Sequence, residues 1–109
     1  MLDTHKVTIK NSITIMDITS FKESLSTGNP PSNASVYLKA LWYDAKNNWN
    51  ESHQLIQDVA DKNASWIHAY LHRKEGDISN ADYWYTKAGK KRRSISLQEE
   101  WEEIVKAFL

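Results

Sequence analysis

The chain contains no cysteine, which excludes disulfides, thiolate metal sites and cysteine nucleophiles. Its 3 glycines and 2 prolines in 109 residues are too few for a collagen-like, linker-rich or disordered protein. Neither sign of charge is in excess. The 14 basic and 14 acidic residues give a formal net charge of +0 at pH 7, so no general electrostatic grip on nucleic acid or an anionic surface is indicated. No apolar run approaches the roughly 20 residues of a membrane-spanning helix. Asp3, His5, Lys6 and Lys10 interrupt the N-terminal stretch that a secretory h-region would need. A cytoplasmic location without a membrane partner is therefore expected. Nucleophile-elbow, P-loop and dinucleotide fingerprints are absent as well, and no cofactor is expected.

Aromatic residues, by contrast, are plentiful. Five Trp and five Tyr accompany a hydrophobic content of 40%, and each aromatic can bury about 150–250 Å². Few helices suffice to enclose them in one domain. Over residues 1–16, Val7, Ile9, Ile13 and Ile15 alternate with polar residues around Asn11-Ser12. That segment reads as a short β-hairpin or as an extension ahead of a start at Met16.

Residues 17–109 read as a single all-α domain of about six helices in antiparallel hairpins. Ser20-Phe-Lys-Glu23 has capping-box spacing, and Gly28 with Asn29-Pro30-Pro31 stops the segment. Hairpin 1 spans 34–60. Its first helix is expected over Ala34–Asn47 with Leu38, Trp42 and Ala45 on the apolar stripe, and its second from an Asn48 cap to about Ala60. Hairpin 2 spans 64–89, with Gly76 ending one helix, Asp77 capping the next and Gly89 closing it. A closing helix over 96–109 opens on the capping box Ser96-Leu-Gln-Glu99.

A shift of 29 residues superposes the two hairpins: Ala40 on Ala69, Asn47 on Gly76, Asn48 on Asp77, Ser52 on Ala81, Ile56 on Tyr85 and Val59 on Ala88. Chemical role repeats at each position, the mark of stacked units that bury one another's apolar faces. Gly76-Asp77-x3-Ala81-x3-Tyr85-x2-Ala88 resembles the second half of a tetratricopeptide repeat, and Ala81-Asp-Tyr-Trp84-Tyr85-Thr-Lys87-Ala88 resembles the related Sel1-type repeat. The resemblance covers roughly residues 34–90. The family's repeat is longer, about 34 residues, and its first-helix Trp and Leu signature is poorly met, so the likeness is to degenerate hairpins. Trp66 to Tyr85 is also similar to the W-[IV]-H-A-Y-L-H-R-x-E-G-D stretch shared by a group of small uncharacterised bacterial proteins, which implies a fold and no mechanism.

At about 100° per residue, His68, His72 and Glu75 share one edge of the helix over 64–75, opposite Trp66, Ile67, Tyr70 and Leu71. Two imidazoles at i, i+4 suit a metal ion. Only His53 and His5 remain as further imidazoles, no His-Glu-x-x-His is present, and hydrogen bonding to neighbouring groups is the plainer expectation. Arg73 is expected to stack on an aromatic, to pair with Asp77 or Asp82, or to offer its fork to an anion. Trp84 and Tyr85 read as core, whereas Tyr83 points elsewhere and is an interface candidate. The basic run Lys87-x2-Lys90-Lys-Arg-Arg93 suits a helix C-terminus better than nucleic acid.

In tetratricopeptide-like stacking, Lys39, Tyr43 and Lys46 align with His68, His72 and Glu75 on one concave face. Such a groove fits an acidic peptide or small anion, and a non-catalytic protein- or peptide-interaction module is the leading expectation. A small-ligand or metal-binding protein, with or without enzymatic activity, is the rival. An exposed N-terminal strand edge also invites a homo-oligomer.

Overall fold

The computed structural model describes residues 16–109. The β-hairpin expected over 1–16 lies outside them except for Met16, which is half-buried against the core. The described residues form six α-helices and no strand: α1 Ile18–Ser24, α2 Val36–Ala45, α3 Trp49–Ile56, α4 Lys62–Glu75, α5 Ile78–Ala88 and α6 Leu97–Phe108. None is long and apolar enough to cross a membrane.

Local chemistry accounts for most of the helix ends. The Asn48, Asp77 and Ser96 side chains accept from the Glu51, Asn80 and Glu99 backbone N–H groups, so each satisfies an orphan donor of its first turn. At Ser96 the Glu99 carboxylate reaches back to the cap's own N–H, which completes the capping box. Gly76 and Gly89 end α4 and α5 in left-handed conformation at φ 88° and 74°. Asn47, the counterpart of Gly76 in the 29-residue shift, has the same backbone sign at φ 64°.

Four expectations need correction. The cap of α1 is Asp17, not Ser20: its carboxylate takes the Ser20 N–H at 2.8 Å and starts the helix earlier. The first helix of hairpin 1 begins at Val36 behind a Ser35 cap, and its Ala45 is exposed while Asp44 is buried. α3 stops at Ile56 instead of reaching Ala60, because the chain must turn to enter α4. Asp61 then caps α4 and moves its start from Ala64 back to Lys62.

Hairpins α2–α3 and α4–α5 are each tightly packed, and α6 lies against α1, α2 and α4. Ala40 and Ser52, like Ala69 and Ala81, are fully buried, so small residues stand where the paired helices approach closely. The core joins Phe21, Leu38, Leu41, Trp42, Ile56, Ile67, Tyr70, Leu71, Trp101, Ile104 and Val105. Its indoles are satisfied: Trp42 donates to Ser24 Oγ at 3.0 Å and Trp101 to the Leu41 carbonyl at 3.0 Å. An indole N–H withdrawn from water without such a partner costs roughly 1–3 kcal/mol.

Candidate functional site

Besides buried Asp44, which accepts from Lys74 Nζ at 2.9 Å and the Tyr70 hydroxyl at 3.2 Å, two polar centres are built into the helical packing, and the first is a cluster of imidazoles. Ser52 is fully buried and donates its hydroxyl to the Ala40 carbonyl at 2.6 Å, which locks α3 onto α2. The next residue, His53, is thereby aimed at α4. There His68 and His72 lie one turn apart on the same face, their rings 4.8 Å centroid to centroid. His53 Nε2 and His68 Nε2 are 3.0 Å apart. One nitrogen from each of the three rings lies within 4.8 Å of the others.

Two tryptophans close the flanks. Trp49, one turn before His53, stacks on that imidazole at 4.7 Å with planes 10° apart, and its N–H is fixed by the Leu71 carbonyl at 2.8 Å. Trp84 from α5 stacks on His68 at 3.9 Å and 17°. Behind His72 stands Glu75, whose Oε2 is 2.7 Å from Nδ1. With Nδ1 turned to that carboxylate, Nε2 is the ring nitrogen left for another partner. His72, Glu75 and Asp77 also have donor atoms within 4.8 Å of one another, the two carboxylates being exposed.

Burial governs the protonation of the cluster. His68 is 6% exposed and His72 7%. Burial first, and then the neighbouring imidazoles of His53 and His72, push the His68 pKa down to about 4. His53 is lowered as well, chiefly by burial and next by His72. A sign for acid stability follows. The folded chain keeps His68 neutral down to about pH 4, whereas an unfolded imidazole takes up its proton near pH 6.5. Unfolding therefore binds a proton in that window. Stability should be complete above about pH 6.5 and decline toward pH 4, by up to about 1.4 kcal/mol per pH unit for His68 alone. Urea midpoints of the metal-free protein at pH 7, 6 and 5 measure it, and His68→Phe should flatten the slope.

The second centre surrounds Glu100, which is 4% exposed. Its carboxylate accepts from Tyr85 OH at 2.8 and 2.7 Å, from Trp66 Nε1 at 3.1 Å and from Arg73 Nη1 at 2.7 Å. Arg73 also donates to the Ile95 carbonyl. Its partner is thus Glu100 on α6, neither Asp77 nor Asp82, because the guanidinium turns under the helix toward the buried acid.

The residues of the expected groove fall in different places. His68, His72 and Glu75 come together, but the two imidazoles face α3 and α5 and not solvent. Lys46 donates to the Leu25 and Thr27 carbonyls at 2.7 and 3.3 Å, tying the segment after α1 to the end of α2. Lys39 is half-buried, and Tyr43 is half-buried with its ring edge-on to Trp42. Tyr83 is 55% exposed, with Lys87 Nζ 5.4 Å from its ring centre. In the basic run, Arg92 pairs with Asp82 and Arg93 with Glu103, while Lys90 Nζ lies 3.9 Å over the Trp66 ring.

Spacing along the chain does not join His53 to His68 and His72, and it gives Trp49 and Glu100 no site role. A signal for His53 was present: it follows Ser52, and His68 precedes Ala69, the small residues of the repeat. Comparison with protein-family models, curated proteins and solved structures finds no match for the chain.

Proposed function

We propose that the protein binds a transition-metal ion through His53, His68 and His72. One observation carries the reading: three imidazoles from two helices converge with a donor nitrogen each within 4.8 Å of one another. A tetrahedral ion about 2.0–2.1 Å from each nitrogen sets those nitrogens roughly 3.3 Å apart. The 3.0 Å between His53 and His68 Nε2 is a hydrogen bond in which one ring donates, so loading moves that proton to the ring's Nδ1 and spreads the pair slightly. Burial disfavours the charged form of His53 and His68, and the neutral ring is the one that coordinates. The Glu75 carboxylate on His72 Nδ1 is the usual outer partner of a metal-bound histidine: it orients the ring and raises its basicity.

The all-nitrogen donor set favours zinc, cobalt, nickel or copper over magnesium or calcium, which prefer oxygen. The peptide-docking groove is less well supported, since its two imidazoles are buried and its Lys46 is engaged with the main chain. Calorimetric titration of the full chain with Zn²⁺ at pH 7.5 should give one ion per chain, and Mg²⁺ should give no heat. Absence of heat above dilution for zinc, cobalt and nickel alike would end the proposal.

A further inference from the structure

We infer that the link from α5 to α6 carries a second site, one for a compact dianion such as the phosphoryl group of a small molecule, held by Lys90 and Lys91. The link is fixed in place by the protein alone. The Gly89 and Lys90 N–H groups close the end of α5 on the Thr86 and Tyr85 carbonyls at 3.0 and 2.9 Å. Arg92 clasps Asp82 at 2.8 and 3.2 Å, Arg93 pairs with Glu103, and Arg73 holds the Ile95 carbonyl. Against the link lie a cavity of about 410 Å³ with Trp66 and Tyr85 in its wall and a smaller one of about 230 Å³ with Tyr85 and Thr86. Lys90 and Lys91 border both. The larger falls within the roughly 300–1,000 Å³ of small-molecule sites.

Charge selects the ligand. The acids lining the two cavities are Glu100, Glu103 and Asp82. Each has its own guanidinium: Arg73 for Glu100, Arg93 for Glu103 and Arg92 for Asp82. Among the described residues, Lys90 and Lys91 have no carboxylate at ion-pairing distance. A chain of formal net charge +0 therefore keeps a local surplus of two ammonium groups here. The Trp66 ring, 3.9 Å from Lys90 Nζ, positions that ammonium without neutralising it. The macrodipole of α5 offsets only about half a charge. A dianion cancels the surplus.

Donor chemistry points the same way. The Trp66 indole N–H and the Tyr85 hydroxyl already donate to Glu100, so recognition falls to the two lysines. An ammonium is a compact charge with rotatable donors and suits the tetrahedral oxygens of a phosphoryl group, whereas a planar carboxylate is matched better by an arginine fork. The three arginines nearby are spent on the protein's own carboxylates. The site shares no residue with the imidazole cluster and stands or falls apart from the metal reading.

The test follows amide spectra of the ¹⁵N-labelled full chain, without added metal, as sodium phosphate is added at pH 8, where the phosphoryl group is doubly charged. Sodium chloride at matched ionic strength is the reference. The expected result is a saturable set of shifts at residues 85–93 and at the Trp66 indole N–H, in phosphate alone. Lys90→Gln combined with Lys91→Gln should keep the fold, since both side chains are exposed, and weaken phosphate binding at least about tenfold. Lys91→Gln alone leaves Lys90 on Trp66 and should show part of that loss. Lys87→Gln removes a charge that lines neither cavity and should bind phosphate as wild type does. Shifts no different from those in chloride would overturn the site. So would an equal loss in Lys87→Gln and in the double variant, which would reduce the effect to general attraction by surface charge.

Discussion

Glu100→Ala is expected to cost roughly 3–5 kcal/mol, the loss typical of removing one partner from a buried ion pair. A domain of this size has only about 5–15 kcal/mol in total. The cost has two parts. Deleting the carboxylate strands the Arg73 guanidinium, whose side chain is 15% exposed, with the Ile95 carbonyl as its remaining acceptor. It also leaves Tyr85 OH and Trp66 Nε1 without the acceptor they share. Thermal unfolding should show a fall in Tm of at least about 12 °C. Glu100→Gln separates the parts: an amide oxygen can still accept from the tyrosine, but the counter-charge is gone, so a smaller loss of about 1.5–3 kcal/mol is expected. Combining Glu100→Leu with Arg73→Met should not restore wild-type stability, although such swaps are often neutral for simple pairs. Tyr85 and Trp66 would still lack a partner. Recovery to wild-type Tm in that double variant would mean that the centre is an ion pair and nothing more.

That centre was invisible in the sequence for a physical reason. Glu100 stands beside Glu99 in the first turn of α6, with Glu102 and Glu103 in the next, and nothing local distinguishes it. What makes it internal is Arg73, 27 positions earlier, and Tyr85, 15 positions earlier, reached only once α4, α5 and α6 have packed. Helix ends behave oppositely. Asn48, Asp77, Ser96, Gly76 and Gly89 act on backbone groups within a few residues, so their roles can be read in place. Even so, Asp17 and not Ser20 caps α1, and Asp61 starts α4 earlier than expected, because local spacing alone does not choose among cap candidates a few residues apart.

The imidazole cluster lies between these extremes. His68 and His72 share a helix face by spacing alone, and their segregation from the apolar stripe was legible. The same spacing pointed them at an open groove. The structure turns them toward α3, since Ser52 on the Ala40 carbonyl sets the crossing that brings His53 to within 3.0 Å of His68. Stacking the repeats by first helix paired α2 with α4, whereas the contact that matters joins a second helix, α3, to the first helix of the next unit.

His68→Phe is the variant that separates packing from coordination. A phenyl ring keeps the stack on Trp84 and leaves a low-polarity interior, yet offers no lone pair. Its metal-free form should lose only about 1 kcal/mol, because the ring shape is kept while the hydrogen bond to His53 Nε2 is lost. Metal then discriminates. At a zinc concentration about 100 times its dissociation constant, wild type should gain roughly 2.7 kcal/mol. His68→Phe should gain none, because two remaining imidazoles make a poor zinc site. Glu75→Gln tests the outer partner: His72 keeps its ring position but loses a carboxylate on Nδ1, so zinc affinity should fall about 10–100-fold while binding persists. The order wild type, Glu75→Gln, His68→Phe in zinc-dependent Tm shift follows only if the ion sits among the three rings. Equal shifts in all three proteins would place zinc elsewhere, at exposed carboxylates, and would leave the convergence of His53, His68 and His72 as packing alone.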